Sequence, residues 1–447
     1  MRFDDIKQTV FDAAKELGLS EYELFYTSDS SVSAETLKDE ISAFAYGVSG
    51  GACFRCIVDG KIGSASSELM TSDEMRSIVR RAAANAKIIE SDDPAIIFEG
   101  SAEYSKTNIP DVALPSAAEI KKKALDIQEN TYKASEFVTD GTQSYLGAGE
   151  SEFRLINSKG LDLSNKYKAV FGYVGAVVCR DGVSEESYEM FEGLDDDKVK
   201  KLSVKAVDGA LAKLGAKEIE SGKYDVIFSA KQTRALLSTF SSAFSGRSAQ
   251  LGLSLFAGKE GQKVASDCIT IIDDPRREGC AQQTSFDGEG VATYKKTVIE
   301  NGVLKTLLYD LSSAKKAGIE STANGQRTSY ASPVTIEPYS FYIKGGDKSF
   351  DELCATVKDG IYITALKGLH AGANAVTGDF SIDSEGFRIK DGKVCEAIKS
   401  FTVAGNFFEL LRSIEDLSSE VVFGLPSCFT SYGAPEILVR QMSIAGK

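Results

Sequence analysis

One histidine, His370, stands in a chain of 447 residues, so any mechanism that draws two imidazoles from this polypeptide is excluded. Ser-His or Cys-His acyl transfer would have to use His370, within Gly368-Leu369-His370-Ala371-Gly372-Ala373-Asn374. No Gly-x-Ser-x-Gly elbow supplies a strained nucleophile turn. A lone loop histidine reads as a hydrogen-bonding surface or pocket residue rather than a base. Cys53-Phe54-Arg55-Cys56 has the spacing of a redox or zinc half-site, but it lies in a strand-like run. Positions three apart then face opposite sides of a sheet. Zinc would also need a second pair, which none of the other six cysteines forms. Both thiols therefore read as small core residues. Asp273-Asp274, and Asp287 with Glu289 in Phe286-Asp287-Gly288-Glu289-Gly290, have the chemistry for a hard cation but read as turn-capping acids. Gly258-Lys259-Glu260-Gly261 and Gly345-Gly346 lack a following Gly-Lys-Ser/Thr, so no phosphate-cradling loop is expected. Composition and spacing alone define no active site.

The elements that would carry these residues are legible in outline. Phe3, Ile6, Val10, Ala13, Ala14 and Leu17 recur at helical spacing, with Gly18 as the stop. Strands are expected at Tyr22 to Tyr26, Ile41 to Val48 and Ala52 to Val58, the last turning at Asp59-Gly60 into Lys61 to Ala65. A helix from Ser72 to Ala86 completes an N-terminal α+β domain, 1–90. Residues 91–115 hold three of the eight prolines and read as a linker. A central α+β domain, 116–221, repeats the order. Its first helix opens at Ser116 with Glu119 as capping box, strands follow at Phe137 to Ser144, Glu152 to Asn157 and Leu161 to Arg180, and a helix from Asp196 ends the block. The remainder, 222–447, reads as a large, mostly antiparallel β domain. It holds a strand at Tyr224 to Phe228, a helix from Lys231 to Phe244, and hairpins at Asn301-Gly302 and Asp391-Gly392. The class is α+β.

The charge balance is 51 basic against 65 acidic side chains, a net −14. An acidic chain without a compact Lys/Arg block is not expected to bind nucleic acid. The N-terminus lacks the apolar core of a secretory signal, and no apolar run approaches the roughly 20 residues a membrane helix needs. Eight scattered cysteines suit reduced thiols. A cytoplasmic protein without membrane contact is expected.

Several blocks in the C-terminal half occur together. They are Ile271-Ile272-Asp273-Asp274-Pro275, Phe286-Asp287-Gly288-Glu289-Gly290-Val291, Ile299-Glu300-Asn301-Gly302-Val303-Leu304 with Leu308-Tyr309-Asp310, Thr322-Ala323-Asn324-Gly325, and Gly372-Ala373-Asn374-Ala375-Val376-Thr377-Gly378-Asp379-Phe380-Ser381. In this order they resemble the TldD/PmbA family, once called modulators of DNA gyrase. The Asn-x-x-Thr-Gly-Asp-Phe form and Val403-Ala404-Gly405-Asn406 are closer to the PmbA (TldE) branch.

The resemblance implies peptide cleavage. The TldD branch carries zinc on a helical His-Glu-x-x-x-His motif with a later Cys, and its TldE partner completes a heterodimer that admits unfolded peptide. Such complexes mature microcin-type peptides and degrade small unstructured proteins. Carried onto this chain, the motif histidines fall on Ser238 and Ala243 and the glutamate on Thr239. None of these can ligate zinc or act as a carboxylate base. Cys428 lies near the region of the third ligand without matching its spacing, and is left unassigned. The expectation is a metal-free partner subunit with no catalytic residue of its own, zinc residing in a TldD-like mate. Its substrate contacts would come from His370, Asn374, Thr377 and Asp379. The alternative is a homodimeric, non-enzymatic peptide-binding or scaffold protein; an unaided serine or cysteine hydrolase is disfavoured by the single imidazole.

Overall fold

Ile6, Val10, Ala13 and Ala14 fall on one face of the first helix, α1 (Phe3–Glu16), and that face is buried. The computed structural model describes residues 1–447. Three antiparallel strands follow, β1 (Tyr22–Leu37), β2 (Glu40–Val58) and β3 (Lys61–Ser67), then α2 (Ser72–Ile88), capped by Thr71. The second block is α3 (Ala117–Lys133), β4 (Gln143–Asn157), β5 (Asp162–Arg180), β6 (Val183–Glu192) and α4 (Asp196–Leu211). The Ser116–Glu119 capping box is formed.

The two blocks share one six-stranded sheet, ordered β3-β2-β1-β4-β5-β6, in which β1 pairs antiparallel with β4 from Glu23–Asn157 to Leu37–Gln143. All four helices cover one face. α1 and α2 pack on Leu24, Phe54 and Cys56, and α3 and α4 on Leu146, Val174 and Phe191. The approach is closest at Gly63, where an added Cβ would stand 2.2 Å from the Ala82 carbonyl oxygen.

Three strand expectations are corrected. Tyr22 to Tyr26 is the start of a strand of 16 residues, and Ile41 to Val48 and Ala52 to Val58 are one strand of 19. The distal parts of β1 and β2 are Ser- and Gly-rich and only partly buried, so the apolar alternation that marks a strand is missing there. Phe137 to Thr142 is a turn joined to the sheet by a Val138–Val178 bridge, and the expected strand begins at Gln143. β6 was not anticipated. Its sequence, VSEESYEMFE, is acidic, and it is introduced by the left-handed Asp181-Gly182 pair.

Residues between α2 and α3 carry no regular structure but tie the sheet to the C-terminal part. Tyr104 Oη donates to the Gly290 carbonyl at 2.7 Å, Ala292 N to Ser101 Oγ at 2.9 Å, and Asn108 N to Gln283 Oε1 at 2.9 Å.

The C-terminal part begins with β7 (Gly222–Phe228), α5 (Ala230–Thr239), a 3-10 turn at Ser241–Phe244 and α6 (Gly246–Gln250). Next come β8 (Ile271–Asp274), β9 (Lys296–Glu300), β10 (Val303–Leu304), α7 (Leu311–Ala317), β11 (Gly325–Gln326), β12 (Thr335–Ile336), β13 (Ser340–Ile343) and α8 (Phe350–Ala355). The chain then forms β14 (Asp359–Lys367), α9 (Leu369–Gly372), β15 (Asp379–Lys390), β16 (Lys393–Asn406) and α10 (Phe407–Ser413). It ends with β17 (Ile414–Leu417), β18 (Val422–Phe423), β19 (Ser431–Ala434) and β20 (Ile437–Ala445).

Two six-stranded sheets result, β10-β9-β8-β13-β19-β18 and β16-β15-β14-β7-β20-β17. β16 also pairs with β20 at Thr402 and Val403, closing five strands into a ring. Pairing is mostly antiparallel; β13–β19 and β14–β7 are the parallel exceptions. The expected helix from Lys231 to Phe244 is interrupted at Phe240 (φ −100°, ψ 11°), whose ring stacks on Phe407 at 4.6 Å. The structure is therefore α+β throughout, and none of its helices is long and apolar enough to cross a membrane.

Candidate functional site

The helix α5 carries the positions where the resemblance places a metal motif. Thr239 spends its hydroxyl on the Ala235 carbonyl at 2.8 Å, within the helix. Ala243 is fully buried, and the neighbouring Phe244 ring meets Phe256 at 5.0 Å and Phe341 at 5.1 Å. Ser238 is half-buried. It lies with Ser241 beside Tyr432, whose phenol is pushed up to about 12 by burial, partly offset by the two hydroxyls. No three His, Cys, Asp or Glu side chains come together in a group able to hold a metal. Hydroxyl, methyl and phenol groups at this place do not fit a zinc ion, which prefers thiolate, imidazole and carboxylate.

The segment from Gly368 to Phe380 packs alongside. Its helix α9 lies on α5, and Phe380 approaches Phe240 at 6.3 Å. Three of the four expected contact residues are held in one closed turn. Asn374 Oδ1 accepts from Val376 N at 3.0 Å and Thr377 N at 3.2 Å, and Thr377 Oγ1 accepts from Asp379 N at 3.3 Å. Asn406 Nδ2 donates to Asp379 Oδ1 at 2.9 Å and to the Thr377 carbonyl at 2.8 Å. Hydrogen bonds from Asn406 and Thr377 hold the Asp379 carboxyl below its usual range. His370 is exposed on α9, outside this hydrogen-bonded turn.

The cysteines are placed separately. Cys56 faces the helical layer and Cys53 the opposite side, beside Phe25 and Phe286. Burial raises both thiols, Cys56 to about 11. Cys428, in a left-handed conformation (φ 51°), directs its thiol at the Thr328 carbonyl.

The blocks that carry the resemblance meet in space. Asp273 accepts from Asn324 Nδ2 at 2.9 Å, Tyr339 N at 2.6 Å and Lys296 Nζ at 3.1 Å. Asp287 accepts from Glu289 N and Val291 N, each at 2.9 Å, and from Gly325 N at 3.0 Å. Glu289 accepts from Leu311 N at 2.8 Å. These acids are buried and occupied, Asp273 by two side chains and one backbone amide, Asp287 and Glu289 by backbone amides. Burial, with Glu289 adding to it, lifts the Asp287 carboxyl to about 8 despite its three amide donors. Next to it Glu23 of β1 accepts from Arg55 at 2.8 Å and from Arg327, forming a buried ionic bridge between the sheet and the C-terminal part.

Residues 22–86, 110–214 and 221–446 match domain 1, the central domain and the C-terminal domain of the PmbA/TldA metallopeptidases. The chain belongs to the PmbA/TldD family. A relative described as a metalloprotease from Methanothermobacter thermautotrophicus is 27% identical, over 78% of this chain and 80% of its own length. TldE from Thermococcus kodakarensis is similar in structure with a TM-score of 0.89 at 25% identity, over 99% of this chain and 100% of that one. A Thermotoga maritima protein described as a modulator of a DNA gyrase gives a TM-score of 0.87 at 26% identity, again over 99% and 100%. Within this PmbA/TldD fold two open clefts flank α5 and α6. One, of about 870 Å³, includes Arg247, Tyr309 and Lys316; the other, of about 570 Å³, lies between β6 and α5. Neither was legible from the sequence, since each is assembled from segments far apart in the chain.

Proposed function

We propose that this chain is the metal-free, TldE-like subunit of a TldD/TldE-type peptidase, binding unfolded peptide and completing the site of a zinc-bearing mate. The observation that carries the reading is the chemistry at the motif positions. Ser238 and Thr239 offer only hydroxyls, and Ala243 is a methyl group fully buried in the C-terminal hydrophobic core. A zinc-bound water needs ligands and a base that these residues do not provide. The metal belongs to the mate, where it would polarise the scissile carbonyl and supply hydroxide. This chain's own residues would bind and orient the peptide and exclude water.

A free strand edge supports peptide binding. β3 pairs only with residues 52–58 of β2, which leaves the stretch from Glu40 to Gly51 paired on one side alone. Phe44, Tyr46 and Val48 on that stretch are exposed. An extended peptide gains main-chain hydrogen bonds at such an edge without a sequence requirement. His370 and the turn of Asn374, Thr377 and Asp379 offer polar contacts beside α5. The eight unbridged cysteines suit a reducing cytoplasm.

The test is co-purification from the native host followed by metal analysis. A stoichiometric relative carrying His-Glu-x-x-x-His, with zinc and peptidase activity present only in the complex, is the expected result. Chelator-sensitive peptide hydrolysis by the chain alone would overturn the reading. Recovery solely as a homodimer that holds peptide without cleaving it would favour the scaffold alternative.

A further inference from the structure

The cleft of about 570 Å³ between β6 and α5 contains five basic side chains, and four of them are paired. Lys231 meets Glu189 at 2.9 Å, Lys205 meets the same carboxylate at 3.6 Å, Lys213 meets Glu385 at 3.5 Å, and Lys367 also bonds Glu385. The fifth, Arg234 on α5, has no carboxylate within 4 Å and makes no hydrogen bond within the chain. It is half-buried, and burial pushes its guanidinium below the usual value. The backbone fixes its place. A Cβ added at Gly424 would stand 3.1 Å from Arg234 Cζ and Nη1.

Two further polar groups in the same cleft lack partners. Ser229 Oγ and Thr364 Oγ1 are buried without any hydrogen bond, and Ser229 is only 7% exposed. Buried hydroxyls left unmatched are costly. The Arg234 nitrogens, by contrast, are not sealed in and stay open to an oxyanion entering the cleft. The wall opposite is closed to an added strand. The outward carbonyls of Glu186 and Tyr188 on β6 are already taken by Lys213 Nζ at 2.8 Å and Lys231 Nζ at 3.2 Å. The cleft is therefore built to receive a group rather than a strand.

We propose that Arg234 is the anchor of a carboxylate subsite for peptide, reading either a C-terminal carboxylate or an acidic side chain in the cleft between β6 and α5. The planar guanidinium fork matches a carboxylate in two parallel hydrogen bonds. The four lysines are already paired with Glu189 and Glu385, so the one free guanidinium matches the single charge of a carboxylate rather than the two of a phosphate dianion. Arg234 is four residues before Ser238 on α5, so both project from one side of the helix, and the subsite would hold one part of a peptide beside the former motif positions. The proposal rests on the reading of this chain as a peptide-binding subunit.

Fluorescence anisotropy of the full chain with three labelled, unstructured peptides tests it: one neutral with a free C-terminus, one neutral and amidated, one amidated with an internal Asp. At least one carboxylate-bearing peptide should bind about tenfold or more tighter than the neutral amide, and Arg234→Gln should remove that preference. Equal binding of all three, or a preference that survives in Arg234→Gln of unchanged circular dichroism, overturns the subsite while leaving peptide binding intact. If no peptide binds, the peptide-binding reading fails, and N-acetylglycine titrated against N-acetylglycinamide decides the subsite separately. A side-chain Nε resonance that responds to the acid alone, and is absent from Arg234→Gln, sustains it; no such resonance overturns it.

Discussion

Glu23 on the first strand accepts a hydrogen bond from Arg327, a residue 304 positions later, in a contact where both side chains are 1% exposed. With Arg55 at 2.8 Å on the other side, this triad fastens the N-terminal sheet to the C-terminal part. Replacing Glu23 by Ala leaves two buried guanidinium groups without their anion. Breaking a buried pair in this way costs about 3–5 kcal/mol. Chemical denaturation of Glu23→Ala should show a loss of that size, whereas a loss within experimental error would mean that the triad does not hold the halves together.

Asp287 gives the stability a direction with pH. Its folded carboxyl, lifted to about 8 by burial, holds a proton that the unfolded chain releases near the ordinary aspartate value of 3.8. Between those values the native state binds more protons than the unfolded one, so its contribution to stability falls as pH rises, then levels above about 8. The slope from this group is at most about 1.4 kcal/mol per pH unit. Unfolding free energies measured from pH 4 to 9 should carry this decline, and Asp287→Asn should flatten it. An unchanged profile in the variant would assign the decline elsewhere.

Asn406 both caps α10, through Phe408 N at 3.0 Å, and clamps the turn at Thr377 and Asp379. Asn406→Ala should cost about 1 kcal/mol as a lost cap. Hydrogen exchange should also quicken at residues 374–379 ahead of the surrounding strands. Uniform exchange would show that the turn stands without its clamp.

His370 separates contact from scaffolding, because its side chain is exposed and outside the clamped turn. His370→Ala should leave the melting temperature unchanged. A fall in peptide affinity in the same variant would then report a direct contact, and unaltered affinity would remove His370 from the binding surface.

Gly63 packs α2 against β3 with no room for a side chain. Gly63→Ala should destabilise by about 1–3 kcal/mol through overpacking. A melting temperature equal to that of the parent would mean that α2 can move away at no cost.

Local chemistry made part of the architecture readable. The Ser116 cap with Glu119, and the left-handed Asn301-Gly302 and Asp391-Gly392 turns, are each decided within four residues. The class followed from them. The lengths of β1 and β2 did not, because their distal halves are incompletely buried and carry no apolar alternation. Nor did β6, whose acidic residues line a cleft instead of a core. The break at Phe240 was hidden because its stacking partner, Phe407, is remote in the chain. At the site, the degenerate positions 238, 239 and 243 could be read by type, whereas Arg234 looked like any helical arginine until its neighbours were in view.

The pairing of β1 with β4 carries a cost for the chain when it is interrupted. Severing it near residue 110 would bare two long, register-matched borders, Glu23 to Leu37 and Gln143 to Asn157, on separate polypeptides. Each fragment would meet many like itself before its proper mate, and ladders of identical chains are the seeds of fibrils. Premature termination between the two blocks would thus yield an aggregating species, not an inert half.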